Sequence, residues 1–113
     1  MENISFKFEH NHSELLVLKY DDSTIEFAGI FSNHPCIKVV IDGSMKDFVE
    51  GCLFGYISVT KPDTENNVRI FDELLIEYDS DRDVCYITLE DKSDYHVYEL
   101  SKEQVRELLK FLL

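Results

Sequence analysis

The sequence predicts an α+β domain: a mainly antiparallel β-sheet of about six to eight strands, a C-terminal amphipathic helix and a short central helix. Three observations predict it. Apolar and polar residues alternate through much of the first forty positions, the period-two signature of strands with one buried face. Polar clusters rich in Asp, Asn and Ser interrupt that pattern, as hairpin connections do. The end of the chain then switches to helical spacing behind a capping sequence.

Ile4, Phe6 and Phe8 alternate with Ser5 and Lys7, giving a first strand with one apolar face. His10, Asn11 and His12 connect it to a more continuous apolar run, Leu15 to Tyr20, which suits a central strand. Asp21, Asp22 and Ser23 make a turn, because their short side chains bond their own backbone. Thr24 to Ile30 resumes the alternation. Asn33, His34 and Pro35 break the chain before Cys36 to Ile41, a run rich in β-branched residues.

Asp42 and Gly43 read as a turn and Ser44 as the cap of a short helix from Met45 to about Leu53, with Asp47 as the partner acid of a capping box. Gly51 and Gly55 weaken that helix, and Phe54 to Thr60 reads as a further strand. Lys61 to Asn67 is a loop, a natural place for an adaptable contact. Val68 to Tyr78 reads both ways: Ile70, Leu74 and Glu77 have helical spacing, while the β-branched start and the hairpin that follows favour a strand. Asp79 to Asp83 is a turn, Val84 to Leu89 a strand, and Asp91 to Asp94 another turn. Tyr95 to Leu100 is extended, with Tyr95, Val97 and Glu99 on one face and His96, Tyr98 and Leu100 on the other. Ser101 and Gln104 form a capping box, and Val105, Leu108, Leu109 and Leu112 make one stripe. A helix of about 12 residues is marginal alone, so this stripe must pack on the sheet.

At 113 residues the chain suits one domain spanning 1–113, with 44% apolar residues to fill a core. Its charge is lopsided: 23 acids against 11 bases, a formal net charge of -12. From Asp72 to Asp94 there are nine acids and two bases. Eight Phe and six Tyr set the chain apart from disordered acidic tails, so this charge lies on a folded body. Such a body repels nucleic acid and anionic membrane and attracts cationic surfaces. The N-terminus shows neither the basic nor the apolar region of a signal peptide, and no apolar run approaches the ~20 residues that span a bilayer. Cys36, Cys52 and Cys85 are odd in number and lack CxxC spacing, which points to reduced, buried thiols in a cytoplasmic protein.

Motifs that carry chemistry are sparse. Asp79, Asp81, Asp83 and Glu90 echo the 1, 3, 5 and 12 positions of a calcium loop, but Val84 stands where that loop needs glycine and a strand follows where it needs a helix. A solvated hairpin turn explains them better. His10 and His12, separated by Asn11, would ligate a metal if they lay on one strand face, but two His in a polar connection are more often solvated side chains. There is no phosphate-binding glycine loop, GxSxG elbow or HExxH, so no catalytic residue, metal or cofactor is assigned and the chain is not read as an enzyme. Phe6, Phe8, Phe27, Tyr86 and Tyr98 read as packing residues; Tyr20, Tyr56, Tyr78 and Tyr95 read as interface anchors.

The function expected is therefore that of a small acidic protein-binding module. It would be an inhibitor or immunity-type protein that occludes a basic partner, a nuclease-like toxin or a nucleic-acid-processing enzyme. The contact patch expected is Asp72, Glu73, Glu77, Asp79, Asp81, Asp83, Glu90, Asp91 and Asp94. Alternatives are a phage or mobile-element anti-defence protein that mimics DNA, and a small ligand-binding domain or enzyme of unknown reaction. An ordinary solvated acidic surface is the plain rival to all three.

Overall fold

The alternating segments pair into two four-stranded antiparallel sheets in the computed structural model. It describes residues 2–9, 12–21, 23–32, 34–58, 68–70, 73–79, 81–92 and 94–113, with the backbone alone at 34–36 and 68–70. The first sheet is a meander of β1 (Glu2–Phe8), β2 (Ser13–Lys19), β3 (Ile25–Phe31) and β4 (His34–Ile41), followed by helix α1 (Gly43–Ser58). The second is a meander of β5 (Val68–Ile70), β6 (Leu74–Asp79), β7 (Val84–Glu90) and β8 (Tyr95–Leu100), followed by α2 (Lys102–Leu112). The chain is thus a ββββα unit written twice. The second strand of each unit opens alike in sequence, Glu14-Leu15-Leu16-Val17 in one and Glu73-Leu74-Leu75-Ile76 in the other.

Strand register turns the alternation into one buried face per sheet. In the first sheet Phe6, Leu15, Gly29 and Ile37 form one cross-strand row, and Ile4, Val17, Phe27 and Val39 the next. In the second, Ile76, Ile87 and Tyr98 align, flanked by Leu74 with Leu89 and by Tyr78, Cys85 and Leu100. These inner faces and both helices contribute to one hydrophobic cluster. Helix α1 packs against α2, β5 and β6, while α2 packs against β1, β7 and β8, and β4 approaches β7. The sheets meet where Tyr98 lies over Gly29, with the Phe8 ring 5.5 Å from the Tyr98 ring.

Helix α2 forms as its capping box predicts: Ser101 Oγ accepts the Gln104 N–H at 3.2 Å, and Gln104 Oε1 accepts the Ser101 N–H at 2.9 Å. Val105, Leu108, Leu109 and Leu112 are all buried. Helix α1 departs from expectation in two ways. Asp42, not Ser44, is its cap: the Asp42 carboxylate accepts the Met45 N–H at 3.3 Å and the Ser44 hydroxyl at 2.9 Å. The helix also continues to Ser58, so the strand expected from Phe54 is not formed. The reason is that Val49, Leu53 and Tyr56 extend one buried stripe at helical spacing, whereas Gly51 and Gly55 open toward empty space and obstruct nothing. The segment at 68–78 resolves as two strands of a hairpin, β5 on β6, and not as a helix. The expected loop at 61–67, Asp22 of the first turn, Asn33, and His10 with Asn11 lie outside the described residues.

Candidate functional site

The outer face of the second sheet gathers the charge. Strands β6, β7 and β8 contain four acids, Glu77, Asp79, Glu90 and Glu99, and no Lys or Arg; the sheet's short fourth strand, β5, holds Arg69, in register with Leu75. All four acids share the outward parity, because the inward positions are taken by the core rows above. Register sets Glu77 beside Tyr86 and Tyr86 beside Glu99, while Leu75, Thr88 and Val97 form the adjacent row and Glu90 stands beside Tyr95. Tyr95 and Val97 are 65% and 47% exposed, so this face offers apolar surface among its carboxylates. Arg82, from the β6–β7 turn, reaches over it: its guanidinium donates to the Tyr86 hydroxyl at 2.8 Å and pairs with Glu99 at 2.8 Å. By contrast the strands of the first sheet balance three acids (Glu2, Glu14, Glu26) with three bases (Lys7, Lys19, Lys38). The two outer faces are chemically unlike.

The expected acidic patch divides by role. Glu77 and Glu90 lie on the outer sheet face, and Glu73 is exposed at its β6 end, its carbonyl accepting the Glu90 N–H at 2.8 Å. Asp79 caps the β6–β7 turn, accepting the N–H groups of Asp81 and Arg82 at 3.0 and 3.2 Å. Asp91 accepts the Asp94 N–H at 2.9 Å, and Asp94 accepts the Tyr95 N–H at 2.8 Å while its other oxygen lies 3.5 Å from His96 Nε2. Asp81 is exposed at the turn tip, and Asp72 lies outside the described residues.

Asp83 is exposed at the turn but bonds back to the fold. Its carboxylate accepts the Tyr78 hydroxyl at 2.9 Å and faces Lys102 Nζ at 3.4 Å; its carbonyl accepts the Tyr56 hydroxyl at 2.9 Å. One residue thereby ties α1, β6 and α2 together, from a left-handed backbone with φ 54°. Tyr56 and Tyr78, expected as interface anchors, are buried at 2% and 5% exposure with rings 4.5 Å apart. Burial, reinforced by the Asp83 carboxylate, raises the Tyr56 hydroxyl above its ordinary range. Their inward position follows from strand parity for Tyr78 and from the Val49–Leu53–Tyr56 stripe for Tyr56. Tyr20 and Tyr95 are exposed, as an anchor must be.

Turn capping explains much of the Asp content. Asp21 accepts the N–H groups of Ser23 and Thr24 at 2.8 Å each, and those backbone bonds hold its carboxyl below the usual carboxylate value. Asp42 at the α1 start is lowered in the same way, by Met45 first. Charge needed for turns and charge displayed on strands are separable: the strand acids make the candidate surface.

Among the described residues no group of three His, Cys, Asp or Glu side chains is placed to hold a metal ion. Burial raises the Cys52 thiol and pushes Cys85 up to about 12, which leaves both poor nucleophiles at neutral pH. An open depression of about 520 Å³, bounded by Lys7, Phe8, Glu9, His12, Glu14 and Ile30, lies beside the first sheet. No helix among the described residues is long and apolar enough to cross a membrane. A comparison with known proteins finds no family model that matches the chain and no curated protein similar to it in sequence.

Glu99, Tyr86 and Val97 complete the face and were absent from the expected patch. Strand parity alone assigned Tyr95, Val97 and Glu99 to one side; the register that sets Glu99 beside Tyr86 and Glu77 was the missing signal.

Proposed function

We propose that this chain is an acidic protein-binding module, an inhibitor or immunity-type protein that uses the outer face of the second sheet to cover a basic cleft on a partner protein. The observation that carries the reading is the segregation of charge. Glu77, Glu90 and Glu99 project from β6–β8, strands with no Lys or Arg and whose other acid, Asp79, caps a turn; they lie beside exposed Tyr95 and Val97, while the strands of the first sheet are balanced. Carboxylates held on a rigid sheet can take the places that phosphates fill in a nucleic-acid-processing enzyme, and this needs no chemistry from the module itself. The long-range field speeds encounter, toward ~10⁸ M⁻¹s⁻¹ at low salt, and the aromatic and aliphatic side chains supply the desolvated contact that charge alone does not.

The test is a comparative capture from the native cell. The wild-type chain should retain a basic protein at about 50 mM salt and release it by about 300 mM, as screening shortens the reach of the carboxylates. The pair Glu77→Lys and Glu90→Lys should abolish that capture. The pair Glu103→Lys and Glu107→Lys on α2, an equal change in net charge, should leave it intact. Equal losses from both pairs, or capture indifferent to salt, would sink the assignment of this face.

A further inference from the structure

The two sheets present four edges, and three of them are defended. Strand β4 carries Pro35, the exposed Lys38 and a register shift opposite Gly29 and Ile30. Strand β5 is only three residues long. Strand β1 exposes Glu2, Asn3, Ser5 and Lys7; α2 touches β1 and β8 alike. Lysine, proline, irregular register and brevity are the devices by which proteins keep edge strands from recruiting another chain. Strand β8 has none of them. Its six residues pair with β7 in unbroken register, it contains neither Lys nor Pro, and its outward residues are Tyr95, Val97 and Glu99. In the order of the described strands β8 stands at the end of its sheet, beside β7.

We infer that β8 is a docking edge that accepts an extended segment of the basic partner as a ninth strand. This rests on the face assignment above and specifies how the partner engages it. Main-chain bonds to the open edge would supply affinity, and alternate side chains specificity. The outward row sets the pattern. A residue opposite Glu99 meets a carboxylate whose present cation, Arg82, is held in a surface pair with side chains 60% and 43% exposed, readily exchanged for an incoming one. Opposite Val97 an apolar residue fits. Opposite Tyr95 a cation finds an exposed ring and, one strand further, Glu90. The segment recognised therefore reads basic, any, apolar, any, basic. A second copy of this chain is a poor occupant, because its own acidic sheet would be set beside this one and like charges would be doubled.

Two labelled heptapeptides of identical composition test this. One, Thr-Lys-Thr-Val-Thr-Lys-Thr, has the pattern; the other, Lys-Lys-Val-Thr-Thr-Thr-Thr, has not. The patterned peptide should bind about tenfold more tightly at low salt and slow amide exchange along β8, since each inter-strand main-chain bond protects an N–H. Val97→Lys should remove that preference, whereas Val40→Lys, an equally exposed valine on β4 with the same change of charge, should retain it. Equal binding of the two peptides, unchanged exchange in β8, or equal effects of the two substitutions would overturn the docking edge. If the face-specific capture described above nonetheless survives, the face assignment stands and only the strand-addition mode is lost; if both fail, the acidic face is not an interface.

Discussion

Replacing Gly29 by alanine tests the contact between the sheets at Tyr98. An alanine Cβ at this position would lie 2.6 Å from Tyr98 Oη, with Tyr98 Cζ and Leu89 Cδ1 both at 3.6 Å. The first distance is about 1 Å inside an ordinary nonbonded contact of ~3.5 Å. Tyr98 has little room to yield: it is 2% exposed, its ring packs on Phe8 at 5.5 Å and it stacks near His96 at 6.5 Å. Overpacking of this kind costs about 1–3 kcal/mol, against a gain of roughly 0.5–1 kcal/mol for replacing glycine in a strand. The net expected loss is about 1–2 kcal/mol, or roughly 5–10 °C in Tm for a domain near this size. Urea unfolding of four proteins (wild type, Gly29→Ala, Tyr98→Phe and the double variant) measures it. Tyr98→Phe alone gives the reference for the hydroxyl's own effect on stability. In the presence of alanine it also removes the atom that clashes, so the double variant should be more stable than the sum of single effects by about 1 kcal/mol. Strict additivity, or a Gly29→Ala protein as stable as wild type, would refute the claim that Tyr98 fixes the sheet-to-sheet distance.

Three further outcomes follow from named contacts. Asp83→Ala should cost about 1–3 kcal/mol in urea unfolding, because the Tyr78 hydroxyl loses its acceptor and Lys102 its carboxylate, while Asp83→Asn should recover part of that loss through its side-chain oxygen and its tolerance of the left-handed backbone. Ser101→Ala should cost about 1 kcal/mol by opening the α2 capping box, read as a lower thermal midpoint with unchanged helix content at low temperature. For Cys85 the folded thiol stands near 12, above its ordinary value of 9.0. A raised folded value means its contribution is complete below the unfolded value and declines as pH climbs from there toward 12. The urea midpoint should accordingly be level near neutrality and fall above about pH 9, with less of a fall in Cys85→Ala. Native Cys85 should also resist iodoacetamide until the chain is unfolded.

What the sequence revealed and what it hid divide along a physical line. Local signals were readable: the α2 capping box needs only Ser101, Gln104 and a stripe four residues deep, and strand parity needs only alternation, so both were recovered. The end of α1 was not, because two helix-weakening glycines outweigh Leu53 and Tyr56 until it is known that Gly51 and Gly55 face open space. The acidic surface was half legible. A count of carboxylates between Asp72 and Asp94 finds the right region but mixes Asp79 and Asp91, which cap turns, with Glu77 and Glu90, which project from strands. Glu99 falls outside that count yet is carried onto the same face by a register that no local pattern encodes. Tyr56 and Tyr78 were misplaced for a related reason: their hydroxyls are satisfied by Asp83, a partner 27 residues away for Tyr56, so polar sequence surroundings did not imply exposure.

The doubled ββββα architecture has a mechanical corollary. Helix α1 leaves its own meander to pack on β5 and β6, and α2 reaches back to β1, so each half clasps a surface of the other. The core is shared between the halves, so a chain severed between Ser58 and Val68 should expose apolar surface on both fragments. Halves interlocked in this way should unfold together, in one cooperative transition.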